Sequence, residues 1–131
     1  MHEFSIAQNI VRIVKDQVDN GELSRITKVK VKVGELSGVV PEALEFSFRV
    51  IAENNKMRGA HLEIDFIPLK VKCKNCEKEF RLDFPSFVCP DCFSSDLDIL
   101  AGDELFLESI EIADTDEQSN VASRQVSISD P

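Results

Sequence analysis

Four cysteines in two Cys-x-x-Cys pairs constrain this chain more than any other feature of its sequence. Cys73 and Cys76 form the first pair, and Cys89 and Cys92 form the second. Each pair can place two sulfurs on one side of a tight turn, and two facing pairs complete a tetrahedron. Two disulfides, an iron–sulfur centre and a redox pair are the competing interpretations. The spacing favours a closed structural zinc site, because four thiolates leave no position open for water or substrate.

Length and charge narrow the class of protein. The 131 residues suffice for one ordinary domain, or for a small domain with a metal-stapled module. A net charge of −9 disfavours binding to nucleic acid. No apolar run approaches the roughly 20 residues of a membrane-spanning helix, and the start of the chain does not resemble a signal peptide. We therefore expect a cytoplasmic protein with neither nucleic acid nor a membrane as partner, in a reducing compartment that suits metal-bound thiolates.

Two amphipathic helices are predicted in the first half of the chain. The first has an apolar stripe from Ile6 to Val18, and Asn20-Gly21 predicts a left-handed stop after it. The second begins at Pro41, whose missing N–H does no harm in a first turn, and ends around 54–55. The apolar face of this helix comprises Ala43, Leu44, Phe46, Phe48, Val50 and Ile51. Most of this face is expected in the core, and the rest is a plausible docking surface.

Three strands complete the predicted α+β fold, in which two helices pack on a three-stranded sheet. Strict alternation predicts strands at 27–33 and 61–67, and the second should bury Leu62, Ile64 and Phe66. The exposed acids of the second strand, Glu63 and Asp65, should pair with the lysines of the first if the two strands are neighbours.

The third strand, at 104–112, follows the cysteines, so the zinc-ribbon-like module at 70–102 is predicted as an insertion. The domain around it would consist of 1–69 and 103–112. The remaining residues, 113–131, are polar and Ser-rich, and they predict a disordered tail.

The first three residues, Met1, His2 and Glu3, form a second chemical motif. A free amino group, the His2 amide nitrogen and its ring nitrogen can chelate one ion, and planar nitrogen coordination suits Ni(II) or Cu(II). Glu3 can supply a fourth donor through its carboxylate or its deprotonated amide. Alone the motif is weak, because a histidine at position two is ordinarily a solvated terminal residue. The other histidine, His61, is expected on the polar face of its strand.

Further segments accompany the two metal motifs, and they are Val31-Lys32-Val33-Gly34-Glu35-Leu36-Ser37, Pro41-Glu42-Ala43-Leu44-Glu45-Phe46-Ser47-Phe48, Gly102-Asp103-Glu104-Leu105 and Ser109-Ile110-Glu111. From Met1 to about Ile112 the combination resembles the HypA/HybF family of nickel metallochaperones, which act in [NiFe]-hydrogenase maturation. The resemblance implies Ni(II) at Met1 and His2, with Glu3 in or near the coordination sphere. It also implies structural Zn(II) at Cys73, Cys76, Cys89 and Cys92. Some members carry an acidic residue near the position of Val40, where this chain has valine.

The function implied by the resemblance is delivery of Ni(II), and the protein is not expected to be an enzyme. The residues agree, because the chain has no Gly-rich phosphate loop, no Ser–His–Asp set and no cysteine beyond the four. The implied partners are a nickel-handling GTPase (HypB) and the hydrogenase large-subunit precursor, although another nickel enzyme such as urease stays open as recipient. An alternative is a zinc-ribbon interaction or assembly module without transferable metal. A nucleic-acid-binding zinc ribbon is disfavoured by the acidic charge.

Overall fold

The fold is α+β, and the described residues form two α-helices and two separate sheets. The computed structural model describes residues 2–82, 87–113, 118–122 and 126–128, and of 118–122 it describes the backbone alone. The helices are α1 (His2–Gln17) and α2 (Pro41–Glu53). The larger sheet contains β1 (Ile26–Gly34), β2 (His61–Ile67), β6 (Leu105–Ala113), β7 (Gln118–Ala122) and β8 (Val126–Ser127). The smaller sheet contains β3 (Lys70–Cys73), β4 (Glu79–Arg81) and β5 (Leu97–Ala101).

Helix α1 forms where the apolar periodicity predicts it. Its buried stripe comprises Ile6, Ala7, Ile10, Val11, Ile13 and Val14, and Val18 just beyond the helix is buried as well. Glu3 in the first turn and Lys15 in the last complement the helix dipole. The predicted left-handed stop at Asn20-Gly21 is wrong. The chain continues instead into a 3-10 helix over Asn20–Arg25, which opens with a hydrogen bond of 2.8 Å from Glu22 N–H to the Asp19 carbonyl.

Strand β1 is the centre of the larger sheet. It runs parallel to β2 on one side and antiparallel to β6 on the other. Its valines are fully buried, as predicted, whereas its lysines lie on the other face. Glu63 of β2 lies 3.5 Å from both Lys28 and Lys30, so the predicted pairing is confirmed for this acid. Lys32 pairs instead with Glu108 of β6 at 4.0 Å, and Asp65 has no ion pair among the described residues.

The predicted burial is wrong for Phe66, and part of the apolar face of α2 is exposed. Phe66 is 41% exposed, because β2 is the edge strand of its sheet and has a neighbour on one side only. On α2, Phe46 is 61% and Val50 39% exposed, since the face that meets α1 and the sheet is narrower than the apolar stripe. The side chains of α2 that are buried are Leu44, Phe48 and Ala52.

The segment predicted as a disordered tail contains two strands. β7 and β8 both pair with β6, so the larger sheet has five strands where the sequence predicted three. Disorder is therefore the wrong prediction for 118–122 and 126–128. The polar composition of the whole tail concealed a local apolar alternation at Val126 and Ile128, and Ile128 is fully buried. Even a short strand of this kind gains backbone hydrogen bonds when it pairs with an open sheet edge.

The connections between the two sheets are held by carboxylates and by closely packed backbone. Glu35 Oε1 accepts a hydrogen bond of 2.8 Å from Leu69 N–H, and Glu104 Oε1 accepts one of 2.7 Å from Gly102 N–H. Gly102 has a φ of +106°, and a Cβ there would overlap Leu69 Cα. A Cβ on Gly34 would likewise overlap the Gly102 carbonyl. Glycine is thus required at both positions. The separate sheet of β3–β5 supports the proposed division into 1–69 plus 103–112 and 70–102.

Replacement of Glu35 by alanine should destabilise the protein by about 1–3 kcal/mol. The reason is that Leu69 is buried, so its N–H would lose its acceptor without gaining water. Glu45→Ala is the matched control, because Glu45 makes only an exposed pair with Arg49 on the same helix. Urea denaturation of both variants provides the test. Equal midpoints for the two variants would show that the Glu35 contact contributes nothing.

Candidate metal sites

The two Cys-x-x-Cys segments adopt the same local structure. Cys73 N–H bonds to the Lys78 carbonyl and Cys89 N–H to the Ser94 carbonyl, each at 2.9 Å. The chain then returns through a bond of 2.8 Å from the residue after each second cysteine to the carbonyl of the first. Those residues are Glu77 and Phe93, with φ of +64° and +61°, a conformation in which non-glycine residues are strained. Each segment is therefore a knuckle that turns both of its sulfurs to one side.

The four sulfurs of the two knuckles meet at one point. All four Sγ atoms lie within 4.8 Å of one another. Two of the separations, Cys73 to Cys92 and Cys76 to Cys89, are 3.5 Å. Cys73 and Cys89 are fully buried, whereas Cys76 is exposed and Cys92 is partly so. The predicted cluster of four cysteines is thus formed, and each knuckle contributes two sulfurs to it.

The pKa values of the clustered thiols favour the binding of a cation. A hydrogen bond from the Ser94 N–H, and then one from the Asn75 amide, lower the pKa of Cys92 to about 6. A hydrogen bond from the Lys78 N–H also lowers the pKa of Cys76. The sulfur of Cys89, desolvation and the other two sulfurs outweigh it and raise the pKa of Cys76 to about 12. The lowered pKa favours the thiolate of Cys92, and the raised pKa disfavours that of Cys76. A bound divalent ion favours both thiolates.

The donor set fits zinc. Four sulfurs around Zn(II) at about 2.3 Å would lie roughly 3.8 Å apart, close to the spacing observed here. When bound, the ion would join the two knuckles and thereby β3 to the segment before β5. The exposed ion pair between Lys78 and Asp91, at 3.1 Å, also bridges the two knuckles, but such pairs contribute little to stability.

The predicted nickel residues lie at the start of α1. Met1 falls outside the described residues. His2 is the first residue of α1 and is exposed, and Glu3 is partly buried beside it. The first four N–H groups of a helix have no acceptor within that helix. The amide nitrogen of His2 is therefore not needed for the helical hydrogen bonds of α1, which leaves it available as a metal donor.

Glu3 is anchored to the other helix. Its Oε2 accepts a hydrogen bond of 3.1 Å from Val40 N–H, immediately before α2. This bond is the largest cause of a lowered pKa for the Glu3 carboxyl, and the Glu3 N–H and the positive charge of the N-terminus act in the same direction. The carboxylate thus fixes the first turn of α1 against the start of α2. The side chain at position 40 is valine, yet its backbone supplies this contact.

The Glu3–Val40 contact should be lost in acid. Because the folded pKa of Glu3 lies below its ordinary value of 4.5, the contact stabilises the fold fully above that pH and is lost as the pH falls through the lowered pKa. We expect the amide resonance of Val40 to titrate with a midpoint below 4.5 in NMR spectra. In Glu3→Gln, which keeps an acceptor without the charge, the titration should vanish. A midpoint at or above 4.5 in the unmodified protein would contradict the contact.

His61 is not brought to the N-terminal motif. It begins β2 and pairs with Lys28 near the start of β1, whereas the Val40 contact of Glu3 follows the end of β1. Helix α2 leads from one end of the β1–β2 pair back to the other, and its 13 residues span about 20 Å. His61 is exposed, as expected from its position in the strand, and it lines a pocket with Arg49 and Arg58.

The comparisons with known proteins agree on one family. Residues 1–112 match the profile of the HypA family, described as hydrogenase/urease nickel incorporation, metallochaperone. The chain belongs to the HypA family. The hydrogenase maturation factor HypA of Trichodesmium erythraeum (strain IMS101) is 41% identical over 112 residues, which are 86% of this chain and 96% of the relative. That of Aquifex aeolicus (strain VF5) is 37% identical over 112 residues, or 86% of this chain and 97% of the relative.

Solved structures show the same fold. A solution structure of HypA protein matches with a TM-score of 0.60 at 25% identity, covering 86% of this chain and 97% of the other. The solution structure of the Ni metallochaperone HypA from Helicobacter pylori matches with a TM-score of 0.52 at 20% identity, over 97% of this chain and 99% of the other. The second likeness bears on the fold alone. Neither α-helix in the described part of this HypA protein is long and apolar enough to cross a membrane.

The predicted family is thus confirmed, and with it the general role of a metallochaperone in hydrogenase maturation and nickel incorporation. Sequence reasoning missed the contacts that hold the N-terminal motif and the module in place. They involve the Val40 N–H and the carboxylates of Glu35 and Glu104. A glycine beside or near each of the two acids was the available signal, because glycine permits the backbone approach that such contacts accompany.

Proposed function

We propose that this HypA-family protein binds Ni(II) at Met1 and His2, with Glu3 at the edge of the site, and delivers it during [NiFe]-hydrogenase maturation. The observation that carries the proposal is the placement of His2 at an exposed helix start, where its amide takes no part in the helical hydrogen bonds. Nitrogen donors at such a terminus suit Ni(II). The protein is proposed to act in the cytoplasm and to be a carrier with no catalytic activity of its own.

The Glu3–Val40 bond suggests that Glu3 has a different role at this site from the nitrogen donors. Because the hydrogen bond from Val40 N–H holds Oε2 of Glu3 against the start of α2, we assign to Glu3 the role of positioning the first turn of α1. The amine, the His2 ring and the His2 amide are left as the principal donors. An open site of this kind can release its ion by stepwise ligand exchange, whereas a cage of four protein ligands retains it. Protonation of the amine or the His2 ring should weaken binding.

We further propose that Cys73, Cys76, Cys89 and Cys92 hold structural Zn(II). The converging sulfurs and the raised pKa of Cys76 among them support this assignment. The family supports a partnership with the nickel-handling GTPase HypB and with the hydrogenase large-subunit precursor. It also keeps urease open as a recipient, since the family's description names both enzymes.

Complementation in the organism tests the delivery. Deletion of the gene should abolish hydrogenase activity at low nickel, and excess nickel in the medium should restore part of it. A plasmid copy of the unmodified gene should restore full activity, and so should His61→Ala, whereas His2→Ala should not. Full restoration by His2→Ala at low nickel would favour the alternative, an assembly module without transferable metal.

A further inference from the structure

The outer edge of β6 is covered by the chain's own C-terminal segment. β6 pairs with β1 along its inner edge. Along its outer edge, β8 pairs with Phe106 and Leu107, and β7 pairs with Ile110–Ala113. Both contacts are antiparallel. Without them, the backbone N–H and C=O groups of this edge would be open to pairing with another chain.

Ile128 fixes this segment to the domain. Its side chain has no exposed surface and belongs to the same buried cluster as Leu107 and Ile110. Val126 packs against that cluster, and Ile128 N–H donates a bond of 3.2 Å to the Leu105 carbonyl. Two apolar side chains at alternate positions thus enter the core, while Ser127 between them is exposed. This pattern is typical of an edge strand that pairs with a sheet and fills a pocket beneath it.

The covering segment lies beyond the family's sequence profile, which ends at residue 112, within β6. The nickel and zinc motifs, both described helices and the strand pair β1–β2 all precede that point. The metal motifs of the family therefore do not account for this segment.

We propose that the outer edge of β6 is a binding site for an extended apolar-x-apolar strand, filled in cis by residues 118–122 and 126–128. The occupant is held by a short ladder and one fully buried side chain, so it is exchangeable. When it is released, the edge accepts the same segment from a second copy of the protein. Occupancy in cis therefore keeps the protein monomeric, because a covered edge cannot pair with another chain.

Hydrogen exchange of full-length protein, followed residue by residue by NMR, tests this site. In Ile128→Asp, the β6 amides that point to the outer edge should exchange on the order of 10- to 100-fold faster, whereas those bonded to β1 should change little. A synthetic peptide with the sequence of residues 118–131 should restore slow exchange when added in trans. The same peptide with aspartate at position 128 should not. At high concentration, light scattering should show monomers of the unmodified protein, and of Ile128→Asp as well, because the segment of every second copy carries the same aspartate.

Leu62→Ala is the matched control. Leu62 is a buried residue of β2, at the opposite edge of the same sheet, so its loss weakens the core without opening β6. In Leu62→Ala, amide exchange should become faster throughout the sheet, and the added peptide should have no effect on it. Ile128→Ala, judged by the same criteria, replaces Ile128→Asp if the aspartate prevents folding. The proposal is overturned if the Ile128 variant shows no selective acceleration at the outer edge, or if the unmodified peptide fails to reverse it.

Discussion

Cys73→Ser is expected to unfold the zinc module while the larger domain stays folded. Among the described residues, the buried apolar cluster of the module comprises Val71 and Leu82 with Leu69 at its boundary, and Phe80 and Leu97 pack against it, which is too small a core to fold without help. Most of the stability of the module must therefore come from the metal, at on the order of 10 kcal/mol for structural zinc at neutral pH. Loss of one thiolate, which would be one of two fully buried donors, removes most of that free energy.

The measurement combines zinc content by mass spectrometry with hydrogen exchange of the two sheets. In Cys73→Ser, zinc should be lost and β3 and β5 should exchange like an unfolded chain, while β1 stays protected. Asn75→Ala is the control, because Asn75 donates a bond of 3.6 Å to Cys92 Sγ and is not itself a sulfur donor. It should keep its zinc. A folded, metal-free module in Cys73→Ser would show that something other than metal holds these strands together.

His2→Ala is expected to weaken the binding of Ni(II) by on the order of 100-fold or more, with zinc content unchanged. The variant loses the ring nitrogen and with it one chelate ring, although the amine and the amides remain. An additional glycine before Met1 should have an effect of similar size, because it moves the amine out of reach of the same ring. Both changes lie at an exposed helix start, so neither should lower the stability of the fold appreciably.

Calorimetry and the electronic spectrum of the Ni(II) complex, on protein without a tag, provide the measurement. His61→Ala is the matched control, since it removes the other histidine from the far end of the β1–β2 pair. It should leave stoichiometry, affinity and spectrum unchanged. If His2→Ala binds Ni(II) as tightly as the unmodified protein, or if His61→Ala loses it, the nickel site lies elsewhere.

The contacts of Glu3 connect the nickel site to the rest of the molecule. Val40, which donates to Glu3, follows the short segment of Glu35–Ser37, and Leu36 N–H in that segment bonds to the Gly102 carbonyl at 2.8 Å. Glu35 in turn accepts from Leu69. One stretch of seven residues, 34–40, therefore touches the start of α1 and both connections to the zinc module. Its backbone is anchored on each side, so the relative placement of the two proposed sites is well defined.

The sequence by itself determined the elements whose signal is local. The valine alternation of β1, the apolar stripe of α1 and the proline at the start of α2 all specify structure within a few residues. The cysteine spacing is local as well, since each knuckle is formed by about six consecutive residues, and two knuckles whose sulfurs converge favour a shared metal. The resemblance to a known family extended the prediction of metal binding to the N-terminal motif.

Only the tertiary structure decided which surfaces are covered. The exposure of Phe46 and Phe66 depends on where α1 and the sheet end, and the role of Glu3 depends on a backbone N–H that is 37 residues away. Ile128 lies in a polar stretch, and its burial follows from an open edge of β6 formed much earlier in the chain. These outcomes rest on contacts between distant segments, and hydrophobic periodicity carries no information about which neighbour a face will meet.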